Sequence, residues 1–190
     1  MEITGMDKQQ FHHSKGFTLV ELMTTMAVGA TLFHTGITSL QATLITTQLS
    51  TQANQLMHSI MLARSEAIKR NTRITLSKLG DGWEDGWIGY IDNNANAQRD
   101  DDEEILITQG KLPAQMTLTG NRYVKDYISY TGGGRSEKIN GAFQAGRLML
   151  CDRSAEATPE HARAIIIAAS GRPRASYKKR DLKDCLKGRS

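Results

Sequence analysis

Two arginines near the C-terminus, Arg172 and Arg174, have the spacing and surroundings to bind an anion. They stand in a Gly-Arg-Pro-Arg sequence after the apolar run Arg163–Ala169, which predicts a buried strand. Gly171 permits a sharp bend and Pro173 fixes a backbone angle, so we expect a stiff loop rather than a mobile tail. A guanidinium binds phosphate with two parallel hydrogen bonds and loses less side-chain freedom per bond than lysine does. The pattern predicts a phosphate-binding loop.

Further positive charge follows this loop. Lys178, Lys179 and Arg180 come directly after Tyr177, a ring that is able to stack on an unpaired base. The segment 161–190 holds nine basic and two acidic residues, a net charge of +7, whereas the whole chain carries +4 and residues 1–160 therefore carry −3. A basic surface of this kind indicates a polyanionic partner, a contact to another protein, or a solvated face.

An acidic stretch in the middle of the chain follows part of the calcium-loop spacing. Oxygen-bearing side chains stand at loop positions one, three, five, nine and twelve: Asp92, Asn94, Asn96, Asp100 and Glu103. Ala97 takes the place where glycine normally allows the sharp turn, and no flanking helices are predicted. Calcium is therefore a weak prediction. The alternative is a polar loop whose Asn and Asp side chains close turns on their own backbone.

An N-terminal helix must position these features. From Phe17 to Leu40 the chain has a single formal charge, Glu21. A helix of that length covers about 36 Å, against about 30 Å for a hydrocarbon core, although threonine and glycine make it a poor span. A carboxylate in such a segment is costly, so we expect Glu21 to be functional and to need a partner.

A polar, basic leader precedes this segment, and Gly16 lies at the boundary. A secretory signal is cut after its apolar region, whereas a cut after Gly16 would keep the apolar region as working structure. The order resembles the prepilin signature of type IV pilins and type II secretion pseudopilins. The resemblance implies that prepilin peptidase removes residues 1–16 and methylates Phe17, and that Glu21 pairs with the terminal amine of a neighbouring subunit in the filament.

The helix is expected to continue beyond the apolar segment. Apolar residues recur at steps of three and four over 49–70, which predicts an amphipathic half that ends at Asn71 and packs on a globular domain of residues 71–190. Residues 17–48 are expected to form the membrane or filament-core half.

Seven short strands are predicted beyond the helix: Arg73–Lys78, Trp87–Asp92, Ile105–Gln109, Met116–Thr119, Asp126–Tyr130, Gly146–Cys151 and Arg163–Ala169.

These elements predict an α+β protein of the type IV pilin-like class, with a long N-terminal helix packed on an antiparallel sheet or sandwich. The run Thr131–Arg135 has three consecutive glycines but lacks the ending of a phosphate-binding loop, so it is interpreted as a flexible hairpin loop. No nucleophile–base pair, metal cluster or cofactor loop is recognisable, which argues against an enzyme.

Two cysteines, Cys151 and Cys185, lie on the side of the anchor away from the basic leader. In a Gram-negative cell that side is the periplasm, where disulfides persist. A bridge over this loop would contribute about 3–4 kcal/mol. A metal pair or a reactive thiol are the alternatives, and neither has supporting His/Cys spacing nearby.

The C-terminal motif narrows the resemblance to the FimT branch of the FimT/GspH family of minor pilins and pseudopilins. Gly171, Arg172 and Arg174 match its Gly-Arg-x-Arg motif, which the resemblance associates with DNA binding in natural transformation. The implied partners are DNA, other major and minor pilins, prepilin peptidase and the inner membrane, with the C-terminal domain in the periplasm and later on the pilus fibre. The alternative is a GspH-like type II secretion pseudopilin, or an assembly-priming minor pilin, without DNA binding.

Overall fold

The computed structural model describes residues 16–153, 160–182 and 185. The chain divides into two compact units, Met1–Ala42 and Thr43–Ser190. Most of the predicted leader and the last basic residues, Lys183, Lys187 and Arg189, lie outside the described residues.

One long helix, α1 (Leu19–Arg70), runs through both units. Thr18 caps its start, because the Glu21 backbone N–H donates to Thr18 Oγ1 over 3.2 Å. Asn71 ends it with a positive φ of 50°. The Thr72 N–H bonds to the Ala67 carbonyl and the Asn71 N–H to the Ile68 carbonyl, which is the Schellman arrangement for closing a helix.

In the first unit, the apolar side chains of residues 17–33 are exposed, with Phe17 83% and Leu22 54% accessible. Three threonines in this part bond back to carbonyls one turn earlier: Thr24, Thr25 and Thr31. Within the part of the chain that the structure describes, no helix combines the length and apolarity needed to cross a membrane.

In the second unit, one face of α1 is buried in the core of the globular domain. Its buried apolar residues recur at steps of four and three: Leu49, Ala53, Leu56, Ile60, Ala63 and Ala67. This is the spacing that places side chains on one side of a helix. A hydrogen bond of 3.0 Å from Trp87 Nε1 to Ser59 Oγ ties the helix to the sheet behind it.

In the described part of the chain, eight strands form two antiparallel four-stranded sheets. Their bounds are β1 (Ile74–Lys78), β2 (Trp87–Ile91), β3 (Ile105–Gln109), β4 (Met116–Gly120), β5 (Tyr127–Tyr130), β6 (Gly146–Asp152), β7 (Ala162–Ile167) and β8 (Pro173–Ser176). The first sheet has the order β3-β2-β1-β5 and the second β4-β6-β7-β8. The predicted α+β fold class is confirmed.

Strand β8 was not among the seven predicted strands. The sequence predicts a loop at Arg172 and Arg174, whereas the structure pairs Arg174 with Ile166 and Pro173 with Ile167. Proline usually argues against a strand because it lacks a donor N–H, but it is tolerated at the first residue of an edge strand. Pro173 occupies that position, and β8 is the edge of its sheet.

Candidate nucleic-acid interface

The two motif arginines lie on a β-hairpin that joins β7 to β8. The Ala168 N–H donates to the Arg172 carbonyl over 3.1 Å, and the Gly171 N–H donates to the Ala168 carbonyl over 2.8 Å. Three residues therefore span the turn, and the last of them, Gly171, has a φ of +79°. This is the three-residue hairpin loop that needs a left-handed residue at its final position. The turn chemistry explains the glycine of the motif.

Gly171 is also held from outside the hairpin. A Cβ atom added there would lie 2.5 Å from the Gly134 carbonyl oxygen and 2.8 Å from the Ser136 nitrogen, both backbone atoms. The Tyr130 hydroxyl donates to the Gly171 carbonyl over 3.0 Å. Burial raises the pKa of Tyr130, so this phenol stays protonated and remains a donor at neutral pH. The base of the arginine hairpin is thus fixed in a tight backbone contact.

The glycine-rich run Thr131–Arg135 supplies the other side of that contact. It forms a closed turn in which the Thr131 N–H donates to the Arg135 carbonyl over 3.0 Å. Arg64 on α1 donates from Nε to the Gly134 carbonyl over 2.8 Å. The predicted hairpin loop is therefore a fixed turn between α1 and Gly171.

A cleft of about 540 Å³ opens between α1 and the arginine hairpin. Its lining residues come from both elements: Met61, Arg64, Ser65, Ile68, Arg172 and Pro173. Arg64 was not predicted as part of the site, since a single arginine in an amphipathic helix carries no signal of its own. The structure brings it to the same cleft as Arg172.

Arg172 and Arg174 are both exposed. Within the described residues, neither guanidinium makes a hydrogen bond or an ion pair. Two residues apart along an extended segment, side chains project to the same side. The hairpin therefore presents two guanidiniums whose donors are directed to solvent, which is the state in which they can bind phosphate oxygens.

Strand β8 continues into the second group of predicted residues. Lys178 and Lys179 are exposed and have no hydrogen-bond or ion-pair partner for their side chains among the described residues. Arg180 is held more closely to its own chain, since its Nε lies 3.9 Å from Asp181 Oδ1. Tyr177 is 55% exposed, and the Arg163 guanidinium lies 5.0 Å from its ring centroid. One side of the predicted stacking residue is thus already occupied by a cation.

Asp181 is an acidic residue beside this basic surface. The Ser176 hydroxyl donates to its Oδ2 over 2.6 Å, and this bond, together with the charges of Arg180 and Arg174, lowers the pKa of the carboxyl. Asp181 is therefore ionised at neutral pH. Its charge offsets part of the positive field at the end of β8 while its hydrogen bond fixes the chain there.

A disulfide joins Cys151 at the end of β6 to Cys185, with a Cα–Cα distance of 5.9 Å. It belongs to a small apolar cluster with Met149, Ala164 and Leu182. The chain between the two cysteines, 34 positions apart, includes β7, the arginine hairpin and β8. Both ends of the candidate interface are thus fastened to the second sheet.

The acidic loop between β2 and β3 turns its oxygens onto its own backbone. Asp92 is buried and accepts from the N–H groups of Asn96 and Ala97, both over 3.1 Å. Glu103 accepts from Asn93 and Asp100 N–H groups. Ala97, at the glycine position, has a φ of 56°. In the described part of the chain, no group of three or more His, Cys, Asp or Glu side chains is arranged to hold a metal ion.

The predicted processing and assembly residues lie at the start of α1. Gly16 and Phe17 precede the helix and are exposed. Glu21 is exposed too, and its carboxylate makes no hydrogen bond or ion pair with a described residue. The backbone N–H of the same residue donates to the Thr18 hydroxyl, so Thr18 caps the helix there.

Comparisons with known proteins agree with this architecture. The family model described as Type II transport protein GspH matches residues 52–171, and the model described as Prokaryotic N-terminal methylation motif matches residues 11–35. A search of the curated proteins gives no significant match. Among solved structures, two crystal forms of the type IV minor pilin FimU of Pseudomonas aeruginosa are similar, both with a TM-score of 0.53.

The two FimU structures are 18% and 17% identical in sequence to this chain. The matches cover 68% and 67% of this chain and 89% and 91% of the FimU chains. At this identity the likeness shows a shared fold. The family-model match over residues 52–171 spans more than half of the 190 residues.

Proposed function

The chain belongs to the GspH/FimT family of minor pilins and pseudopilins, and on that premise we propose that it is a minor type IV pilin that binds extracellular DNA for uptake in natural transformation. Arg172 and Arg174 are the proposed DNA-binding residues, held in place by Gly171. Lys178 and Lys179 add positive charge, and Arg180 adds less because Asp181 lies beside it.

The observation that carries this proposal is the pair of exposed guanidiniums, unpaired with any described residue, on a hairpin with a fixed base. Phosphate contacts position a protein on DNA and read no sequence, so binding should tolerate any sequence. If about three phosphates are neutralised, the slope of log affinity against log salt concentration should be about −3. A single subunit should bind weakly, and several subunits in one filament would act together through effective concentration.

The methylation-motif match supports the earlier steps of this proposal. Prepilin peptidase would cut after Gly16, and the new terminal amine on Phe17 would be the partner of Glu21 from a neighbouring subunit. The exposed carboxylate of Glu21, which has no partner among the described residues, is available for such a pair. Before assembly the subunit would be held in the inner membrane by residues 17–48, with its globular domain in the periplasm.

The test is DNA binding by the unit Thr43–Ser190 at low and moderate salt. The variant Arg172→Ala/Arg174→Ala should lose binding, while Arg99→Ala/Lys111→Ala, which also removes two positive charges, should bind like the parent. Arg99 and Lys111 each pair with an acid of their own, at 3.5 Å and 2.9 Å. Equal binding by the parent and the Arg172/Arg174 variant, or no binding by the parent, would refute the proposal.

A second candidate function follows from the family model, which is described as a type II transport protein. A secretion pseudopilin or an assembly-priming minor pilin needs the N-terminal segment and Glu21 but no free arginines. If cells carrying the Arg172/Arg174 variant assemble pili normally but lose DNA uptake, the purely structural role is excluded. Unchanged uptake would favour it.

A further inference from the structure

A second exposed cationic surface lies beside the arginine hairpin, and it contains aromatic rings. We propose that this surface, the aromatic platform formed by Arg122, Tyr123, Arg135, Lys138 and Phe143, binds the unpaired bases of single-stranded DNA. The inference rests on the proposed function, because it adds a second part to the same DNA-binding surface and specifies the form of DNA that this part selects.

Each ring of the platform is accompanied by cations. The Arg122 guanidinium lies 4.5 Å and the Lys138 ammonium 5.2 Å from the centroid of Tyr123, and the Arg135 guanidinium lies 4.6 Å from that of Phe143. Tyr123 is still 37% exposed and Phe143 58%. An aromatic ring that is more than half exposed contributes little to a core, whereas rings interleaved with cations are the arrangement that binds single strands.

A buried glutamine holds the platform in place. Phe143 and Glu137 face each other across a narrow hairpin, which the Lys138 N–H closes by donating to the Ala142 carbonyl over 2.8 Å. Gln144, fully buried, donates from Nε2 to the carbonyls of Tyr123 and Tyr127 over 3.1 Å and 2.8 Å. Its Oε1 accepts from the Ser129 N–H over 2.9 Å. The two ring-bearing segments are therefore joined through one side chain.

The positive charge of the platform is not cancelled locally. The segment 121–145 contains four basic and two acidic residues. Both acids pair with cations from outside the segment, Glu137 with Arg73 at 3.1 Å and Asp126 with Lys78 at 3.0 Å. The four basic side chains make no ion pair with a described residue. Arg122 donates a hydrogen bond to the Tyr123 hydroxyl, but no described carboxylate neutralises any of the four charges, so they can attract the phosphates that flank a stacked base.

The platform adjoins the arginine hairpin through the backbone. The contact atoms at Gly171 are the Gly134 carbonyl oxygen and the Ser136 nitrogen, and Arg135 is the residue between them. Arg172 follows Gly171 directly. The two surfaces thus meet at one fixed point, so a DNA strand bound at the arginine hairpin has the platform as its neighbour.

The aromatic rings decide which form of DNA the platform takes. In a duplex, base faces are stacked on one another and offer nothing to an outside ring, whereas an unpaired strand exposes them. Guanidiniums on a hairpin contact phosphates of either form. We therefore assign phosphate binding without strand preference to Arg172 and Arg174, and preference for single strands to Tyr123 and Phe143.

The test compares a labelled oligo(dT) strand with a duplex hairpin that has the same number of phosphates. Both are titrated with the full-length chain in a nonionic detergent. In Tyr123→Leu/Phe143→Leu, which keeps apolar bulk but removes both rings, affinity for oligo(dT) should fall about tenfold, with duplex affinity unchanged. In Tyr123→Phe/Phe143→Tyr, which keeps both rings, neither affinity should change. Emission from the buried Trp83 and Trp87 verifies folding.

Unchanged oligo(dT) affinity in the Leu variant, or an equal loss for both DNA forms, would overturn the inference. The proposed function is tested separately by Arg172→Ala/Arg174→Ala, which should lower the affinity for both DNA forms. If that variant binds both forms like the parent while the Leu variant loses oligo(dT) binding, the proposed role of Arg172 and Arg174 fails, whereas single-strand binding by the platform stands. If the parent binds neither form, both proposals fall.

Discussion

At the scale of single residues, Gly171 is the position where backbone conformation and packing act together. Its φ of +79° strains any residue with a Cβ, and the space beside it is filled by backbone atoms of the glycine-rich turn. Backbone atoms cannot move aside as a flexible side chain can. The motif glycine is therefore required twice, once by the turn and once by the neighbouring segment.

We expect Gly171→Ala to lower the free energy of unfolding by more than Gly141→Ala, a matched control. Gly141 has a φ of +80° with no atom near its missing Cβ, so alanine there carries only the left-handed strain of about 1–2 kcal/mol. At Gly171 the steric overlap should add about 1–3 kcal/mol. Urea unfolding of both variants measures the difference. Equal decreases in the free energy of unfolding for the two variants would contradict this, and would mean that the turn at Gly134 shifts at little cost to accommodate the added Cβ.

The arginine pair shows what sequence reasoning can reach at this scale. Residue types and spacing were enough to single out Arg172 and Arg174 as phosphate ligands, a role that stays a prediction. The sequence alone does not identify the neighbours of this pair, because Arg64 and Arg135 belong to segments that are distant from it in the chain and approach it only in the fold. The exposed Phe143 likewise has no local signal, since an isolated aromatic residue usually indicates a core position.

At the scale of elements, α1 decides whether the globular unit has a core. Its buried face lies against both sheets, and Leu56 and Ile60 are fully buried there. Truncating a buried aliphatic side chain removes its transfer free energy and leaves a cavity. The core-facing residues of α1 within Thr43–Ser190 should therefore tolerate truncation poorly.

We expect Ile60→Ala to destabilise the unit Thr43–Ser190 by about 2–5 kcal/mol. Ile68→Ala serves as the control, because Ile68 lies on the same helix, makes the same change in composition and is 49% exposed. Ile68→Ala should lower the free energy of unfolding by less than about 1 kcal/mol. Urea unfolding followed by circular dichroism gives both values. Similar losses for the two variants would show that the helix packs loosely on the sheets.

The elements that the sequence predicted well share a strong local signal. The three- and four-residue spacing of 49–70 predicted an amphipathic helix, and Asn71 ends the helix as expected. Seven strands were recognised from short β-branched and aromatic runs between turn residues. Strand β8 was missed because Arg-Pro-Arg has no apolar alternation. β8 pairs with β7 because the hairpin turn directs the chain back along β7. Gly171 predicts the bend, but nothing after it predicts a strand.

At the scale of the whole molecule, family and fold were both readable in advance, whereas the two-sheet arrangement was not. The signature at Gly16–Glu21 and the Gly-Arg-x-Arg sequence indicated the family, and the match over 52–171 confirms it. Strand order, by contrast, depends on pairings between distant segments, such as β1 with β5. No periodicity within a strand specifies its partner, so the sequence left a single sheet and a sandwich open.

The disulfide closes a loop that contains β7, the arginine hairpin and β8. We expect Cys151→Ser/Cys185→Ser to lower the free energy of unfolding of Thr43–Ser190 by about 3–4 kcal/mol, the chain entropy that a cross-link of this length removes from the unfolded state. DNA affinity should fall as well, since Leu182 and the segment after β8 lose their covalent attachment to β6.

Urea unfolding of the oxidised parent, the reduced parent and the double serine variant measures the effect. The reduced parent is the matched control, because it lacks the cross-link but keeps both sulfur atoms, and it should unfold with the serine variant. If the serine variant is less stable than the reduced parent, packing of the sulfurs contributes beyond the cross-link. If all three unfold together, the bridge does not stabilise the fold, and the pairing of β7 with β8 and the contacts of Gly171 hold the arginine hairpin without it.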